Sequence, residues 1–319
     1  MSEKIRQYTL SNRNGIKVGV SNLGATITEV MMPDKQGRFS NVVLSYPKLS
    51  AYVEDAYYVG ATLGRYANRI KNGNLKIDGR YYQLSVNEVD KHNHLHGGYD
   101  GFHKKVWEVI LYTGKKLELH YLSESGEEGF PGKLAVTVTF TLTDRDELWI
   151  EYGAQTDSVT VVNISNHSYF NLSGSRNIGN HFLQLYADYY TPTDDHYIPT
   201  GKIANVRDTL FDLRKGVFAR EIMKEIITVN YAFQRQGEIQ LMATVREESS
   251  GRQLEVSGTQ PGLQVYFGNY LADPFLPFQG LCLEPQHYPD SPNQGRFPST
   301  LLKPGERYEQ QVCYRFTNF

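Results

Sequence analysis

The run Val136-Thr137-Val138-Thr139-Phe140-Thr141-Leu142 alternates apolar residues with threonine at every step. Successive side chains of a strand point to opposite faces, so a strict period of two predicts a strand with one face on a core. Downstream, Thr143-Asp144-Arg145-Asp146-Glu147 reads as a hairpin loop, and Leu148-Trp149-Ile150-Glu151-Tyr152-Gly153-Ala154 as the returning strand. Upstream, Ile16-Lys17-Val18-Gly19-Val20 alternates in the same way, and Ala25-Thr26-Ile27-Thr28-Glu29-Val30-Met31 is rich in β-formers. The 23 tyrosines and 15 phenylalanines suit pleated surfaces. Gly and Pro punctuate the chain at the short intervals expected of sandwiches and barrels. Helical stretches are few and short: Lys48 to Asp55, and Ala219 to Ile226. No repeat or Ser/Pro-rich linker interrupts the pattern, so residues 1–319 read as a single all-β domain.

A chain of 319 residues can bury a substantial core, and 40% hydrophobic with 21% charged residues is the balance of a globular protein. A formal charge of -2 argues against nucleic acid or an anionic membrane as the main partner. The two cysteines, Cys282 and Cys313, lie in apolar runs and read as buried free thiols rather than a disulfide framework. Met1-Ser2-Glu3-Lys4-Ile5-Arg6 has no apolar signal core, and no run approaches the roughly 20 apolar residues of a membrane span. The expectation is a cytoplasmic protein.

Four constellations carry candidate chemistry. Around Gly64-Arg65-Tyr66-Ala67-Asn68-Arg69-Ile70, two fork-shaped arginines flank Asn68; they suit hydroxyl and ring oxygens, or equally a loop paired with surface acids. In His92-Asn93-His94-Leu95-His96-Gly97-Gly98, alternate histidines share a face if extended, which invites a metal. No acidic or cysteine ligand lies at a familiar spacing, so a metal is not expected. A polar, mobile loop accounts for His92 and His94, while the glycines, which permit close backbone approach, mark His96 as the ligand-facing one. The third constellation is His167, after the apolar run Val161-Val162-Asn163-Ile164, with Glu284 at the end of Leu281-Cys282-Leu283. An imidazole and a carboxylate have ordinary pKa values of about 6.5 and 4.3, so one can act as acid and the other as base near neutrality. His167 could equally be a core histidine bonded to backbone. A buried lone carboxylate needs a reason, either catalysis or a salt bridge to an arginine. The fourth, Gln286 through Glu306, is mostly turn chemistry that presents Glu284.

Taken in order, these segments resemble the aldose 1-epimerase (galactose mutarotase) family along nearly the whole chain. The resemblance rests on Asn22-Leu23-Gly24-Ala25, Met32-Pro33-Asp34, Gly64 to Ile70, Leu95 to Gly98, and Gly101-Phe102 with Trp107. It continues through Asn166 to Leu172, Thr191-Pro192-Thr193, Ile198 to Gly201, Phe211 to Arg214, Pro261 to Tyr266 and Leu283-Glu284-Pro285-Gln286. Residues 110 to 160 match only as a pattern of strands. The resemblance implies a large antiparallel β-sandwich of the galactose mutarotase-like supersandwich type, with an open cleft. It implies interconversion of the α and β anomers of a free aldose such as galactose or glucose, without cofactor or metal, by a monomer or homodimer. By motif position Glu284 is the base at the C1 hydroxyl and His167 the acid at the ring oxygen. Asn68, Arg69, His96, Tyr169 and Gln264 fall where the family holds the sugar. The family usually has an aspartate in the segment that here reads Thr228-Val229-Asn230-Tyr231-Ala232-Phe233, and Asn230 takes that place. Asparagine loses the charge-assisted bond an aspartate would make.

Ring opening requires a proton removed from O1 and one delivered to O5 within one complex. A non-catalytic sugar-binding protein on the same scaffold is the alternative, motivated by Asn230 and opposed by the presence of both His167 and Glu284. A glycoside hydrolase would want two carboxylates, and a relative acting on phosphorylated hexoses fits the neutral-sugar motifs less well.

Overall fold

The computed structural model describes residues 4–226, 228–235 and 237–319. The alternating run becomes the strand Leu134–Leu142, paired antiparallel with Glu147–Thr156 through the expected hairpin. These two lie within a nine-stranded antiparallel sheet. Its order is Glu108–Tyr112, Lys116–Ser123, Leu134–Leu142, Glu147–Thr156, Tyr308–Asn318, Arg252–Gly258, Gln240–Glu247, His181–Leu185 and Val217–Phe218. The apolar half of each alternation points inward: Val136, Val138 and Phe140 meet Ile150, Val312 and Val256 in one continuous core.

A second, six-stranded sheet closes that core. It runs Tyr169–Phe170, Leu281–Gln286, Gly262–Tyr266, Thr228–Ala232, Tyr189–Thr191 and Ala204–Asn205. Leu281, Leu283, Leu263, Val265, Val229 and Tyr231 pack from it onto the same core. A four-stranded N-terminal sheet, Gln7–Ser11 through Phe39–Asn41, contributes Leu10, Val18, Val20 and Ile27 to it as well. The helical stretches shrink to a 3-10 turn at Leu49–Glu54 and one α turn at Ala219–Ile222. The protein is thus an all-β assembly of large antiparallel sheets with few short helices. Cys282 and Cys313 are buried and free, as read from their apolar surroundings.

The Leu281–Gln286 strand has all six residues buried. Because its outer face is covered too, it reads in sequence as an apolar run rather than an alternation. Glu284 therefore lies inside the strand and not at its end, as expected above; Pro285 and Gln286 continue the pairing with Leu263 and Gly262.

Candidate active site

Register in the six-stranded sheet decides which side chains share the outer face. Directly paired residues of antiparallel strands point the same way. Glu284 pairs with Gln264, Gln264 with Asn230, and Asn230 with Thr191. One step along, Tyr169 pairs with Cys282, Cys282 with Tyr266, and Tyr266 with Thr228. Two rows of mainly polar side chains thus stand back to back with the leucines and valines of the core.

Loops from the N-terminal half close over this face and leave a cavity of about 170 Å³. Its wall combines Glu284, Gln264, Tyr266, Thr228 and Tyr169 from the sheet with Asn68, Glu88, His96 and Tyr58 from those loops, Arg69 from the short strand Arg69–Lys71, and His167 from just before the sheet. Seven of the eight residues expected from sequence meet here. A larger, more open groove of about 600 Å³ crosses the outer face of the nine-stranded sheet over Thr137, Glu151, Gly153 and Glu309. Neither of its carboxylates is fully buried.

His167 is fixed by backbone on both sides. Its N–H donates to the Ala61 carbonyl (2.9 Å), its carbonyl accepts from the Gly60 N–H (3.0 Å), and the neighbouring Asn166 amide donates to the Gly60 carbonyl (2.8 Å). The Nδ1 edge of its ring lies 3.6 Å from the Cys282 thiol. Tyr169 packs against the ring, 4.9 Å between centroids, and His96 lies edge-on at 5.2 Å. Burial pushes the His167 imidazole down to about 4. Glu284 is 1% exposed, and burial pushes its carboxyl up to about 8, while the Arg69 charge pulls the other way. Its Oε2 has no hydrogen-bond partner within the protein, and no arginine or lysine forms a salt bridge with it among the described residues. The salt-bridge explanation for this carboxylate is therefore not the one the fold uses.

The arginine-flanked loop divides its work. Arg65 points away from the cavity and is 2% exposed. Its guanidinium donates to Ser123 Oγ and to the carbonyls of Ser123, Glu124, Pro131 and Gly132, at 2.7–3.0 Å. Arg65→Ala would strand those buried carbonyls without donors. We expect a loss of at least about 3 kcal/mol in chemical denaturation. Arg69 instead lines the cavity, held by Glu88 and lying over the Tyr197 ring.

The three alternating histidines have separate fates. His92 is exposed, and His94 is buried beside Phe130 with Nδ1 2.8 Å from the Ser85 carbonyl. The mobile-loop reading of His94 is thus corrected: Asn93–Leu95 is a strand paired with Arg69–Lys71. His96 accepts the Asn68 backbone N–H at Nδ1 (3.1 Å), which leaves its Nε2 as a donor toward the cavity. Gly97 does permit a close approach, but to protein: a Cβ there would stand 1.8 Å from the Gly64 carbonyl oxygen.

One expected residue stands apart from the other seven. Asn230 is buried on the correct face but is not part of the cavity wall; its amide donates to Thr191 Oγ1 at 3.2 Å. Thr228, two residues earlier, lines the cavity and accepts a hydrogen bond from the Gln264 amide. The two share one strand face, Thr228 paired with Tyr266 and Asn230 with Gln264. Tyr58 and Glu88 were missed entirely. They sit in irregular loops, where a single sequence carries no periodic signal.

Known proteins match this chain in sequence and in fold. The sequence profile of the family described as Aldose 1-epimerase covers residues 6–315. Human galactose mutarotase is 42% identical over 317 residues, 95% of this chain and 91% of its own. Aldose 1-epimerase from Escherichia coli K12 is 35% identical over 330 residues, 98% and 95% of the two chains. Among solved structures, an aldose epimerase homologue from C. elegans superposes with a TM-score of 0.94 at 30% identity, covering 99% of each chain. Galactose 1-epimerase from Lactobacillus acidophilus gives 0.87 at 26% identity, covering 99% and 95%. On fold and on sequence over nearly its full length, this chain belongs to the aldose 1-epimerase family.

Proposed function

We propose that this cavity opens and recloses the ring of a free aldose such as galactose or glucose, so interconverting its anomers. Glu284 takes the proton of the C1 hydroxyl and His167 gives one to the ring oxygen. The observation that carries this reading is a carboxyl and an imidazole in one cavity wall, with their proton affinities driven apart by burial, to about 8 and about 4. Paired groups separated in this way are the usual basis of an acid–base assignment.

Between those values the free cavity holds a neutral carboxyl and a neutral imidazole. A carboxylate facing an imidazolium contains the same number of protons. A bound sugar can therefore draw on either arrangement without taking a proton from bulk water. From the charged arrangement, proton transfer from O1 to Glu284 and from His167 to O5 discharges both groups. The low-dielectric wall favours that discharge. The open aldehyde then turns about the C1–C2 bond, and the ring recloses as the two protons return. Asn68, Arg69, His96 and Gln264 supply donors and acceptors to the remaining hydroxyls, and Tyr169 an aromatic wall; Thr228 also lines the cavity, and Asn230 stands in the row beside Gln264.

Polarimetry of freshly dissolved α-galactose tests the activity. We expect catalytic amounts of protein to speed the approach to anomeric equilibrium well above the spontaneous rate. Calorimetric binding of galactose with no acceleration would instead favour a non-catalytic sugar-binding protein. The two buried free thiols support a reducing and therefore cytoplasmic setting for the reaction.

A further inference from the structure

Glu88 belongs to none of the segments that marked the site in sequence, yet it lines the cavity. Its carboxylate takes one edge of the Arg69 guanidinium: Nε donates to Oε2 at 2.8 Å and Nη2 to Oε1 at 2.6 Å. Both side chains are largely buried, at 11% and 16% exposure. Arg69 lies 4.9 Å from the Tyr197 ring centroid. Glu88 is fixed in turn by the Asn93 amide (3.1 Å) and by two backbone hydrogen bonds with Asn93. The ion pair is thus a rigid part of the wall.

Among the described residues of that wall, Arg69, Glu88 and Glu284 are the ones with an acidic or strongly basic side chain. Glu284 is neutral below about pH 8 because it is buried. Near neutrality, one guanidinium and one carboxylate cancel. We propose that Glu88 reserves this cleft for uncharged aldoses by neutralising Arg69, which would otherwise capture the carboxylate or phosphate of an acidic sugar.

An unpaired arginine presents a two-pronged edge that matches a carboxylate. Here Glu88 already occupies the Nε–Nη2 edge, so an anion could approach only the Nη1–Nη2 end of a guanidinium whose charge is already matched by a carboxylate. An incoming anion also meets the Glu88 charge in a poorly screened environment.

This inference rests on the aldose reading and names the substrate class within it. Its test is calorimetry at pH 7 with galactose and with galacturonate, which is ionised there. The proteins are the native one, Glu88→Gln and Glu88→Asp, with galactose polarimetry run on the same native sample. We expect the native protein to prefer galactose more than tenfold, and Glu88→Gln to shift the galacturonate-to-galactose affinity ratio by roughly 10- to 100-fold toward galacturonate. Glu88→Asp keeps the charge, so it should go on rejecting galacturonate even where galactose affinity falls. Equal binding of both sugars by the native protein would overturn the proposal, as would an unchanged ratio in Glu88→Gln. Native protein that accelerates galactose mutarotation yet shows either result refutes the role of Glu88 alone. Native protein that neither binds nor converts galactose refutes the functional reading as well.

Discussion

Glu284→Gln is expected to lower kcat for anomer interconversion by about 100- to 10,000-fold, the range that a positioned general base contributes, while the fold survives. The amide keeps the size of the carboxyl but cannot take the O1 proton. The variant should also be more stable than the native protein in alkali. With its native-state pKa pushed up to about 8, well above the ordinary carboxyl range, Glu284 holds its proton in the folded chain while it is ionised in the unfolded one. Native stability therefore falls as pH rises through that window, and above about 8 the loss is complete, at roughly 3–5 kcal/mol for so buried a group. Glutamine does not titrate and escapes the loss. Polarimetry and thermal melts at pH 7 and pH 9 give both readings on one sample. Loss of activity together with a gain in alkaline stability would separate loss of the base from loss of structure.

The second large effect is on pH dependence. The kcat/KM of the native enzyme should follow a bell with limbs near pH 4 and pH 8, from the His167 and Glu284 values. Below the acid limb the pair has gained a proton and no base remains. Above the alkaline limb it has lost one and no acid remains. The limbs belong to the pair as a unit, since the two groups share one cavity. The other titratable groups close to Glu284 stay out of this window: burial raises the phenols of Tyr169, Tyr266 and Tyr314 and the thiol of Cys282. In Glu284→Gln the residual activity should lose its alkaline limb. A native profile flat from pH 5 to 10 would contradict this assignment.

How far the molecule could be read from its sequence varied with the origin of each contact. The strand Leu134–Leu142 was legible because one of its faces is apolar throughout. His167 and Glu284 stood out because a polar group inside an apolar run is costly unless it has a task. The cavity sheet was harder to read: both faces of Leu281–Gln286 are buried, so the alternation that would have exposed its register is absent. The place of Thr228 in the cavity wall was hidden too: it shares a strand face with Asn230, and only the pairings with Tyr266 and Gln264 give each its row. The opposite fates of Arg65 and Arg69 were not legible at all. Four of the five acceptors of Arg65 are backbone carbonyls, and a carbonyl has no residue type to betray it. Glu88 was hidden for a related reason. Its tie to Arg69 is made across loops whose paths are set by the β-pairing of Arg69–Lys71 with Asn93–Leu95.

A double-variant cycle tests most directly whether one imidazole and one carboxyl act as a unit on a single sugar. Initial rates of α-galactose mutarotation would be compared for the native enzyme, His167→Asn, Glu284→Gln and the double variant. Removing either partner should abolish the concerted exchange of protons, so the double variant should be no slower than the worse single one. Losses that multiply, or either single variant turning over at the native rate, would contradict a shared role for His167 and Glu284.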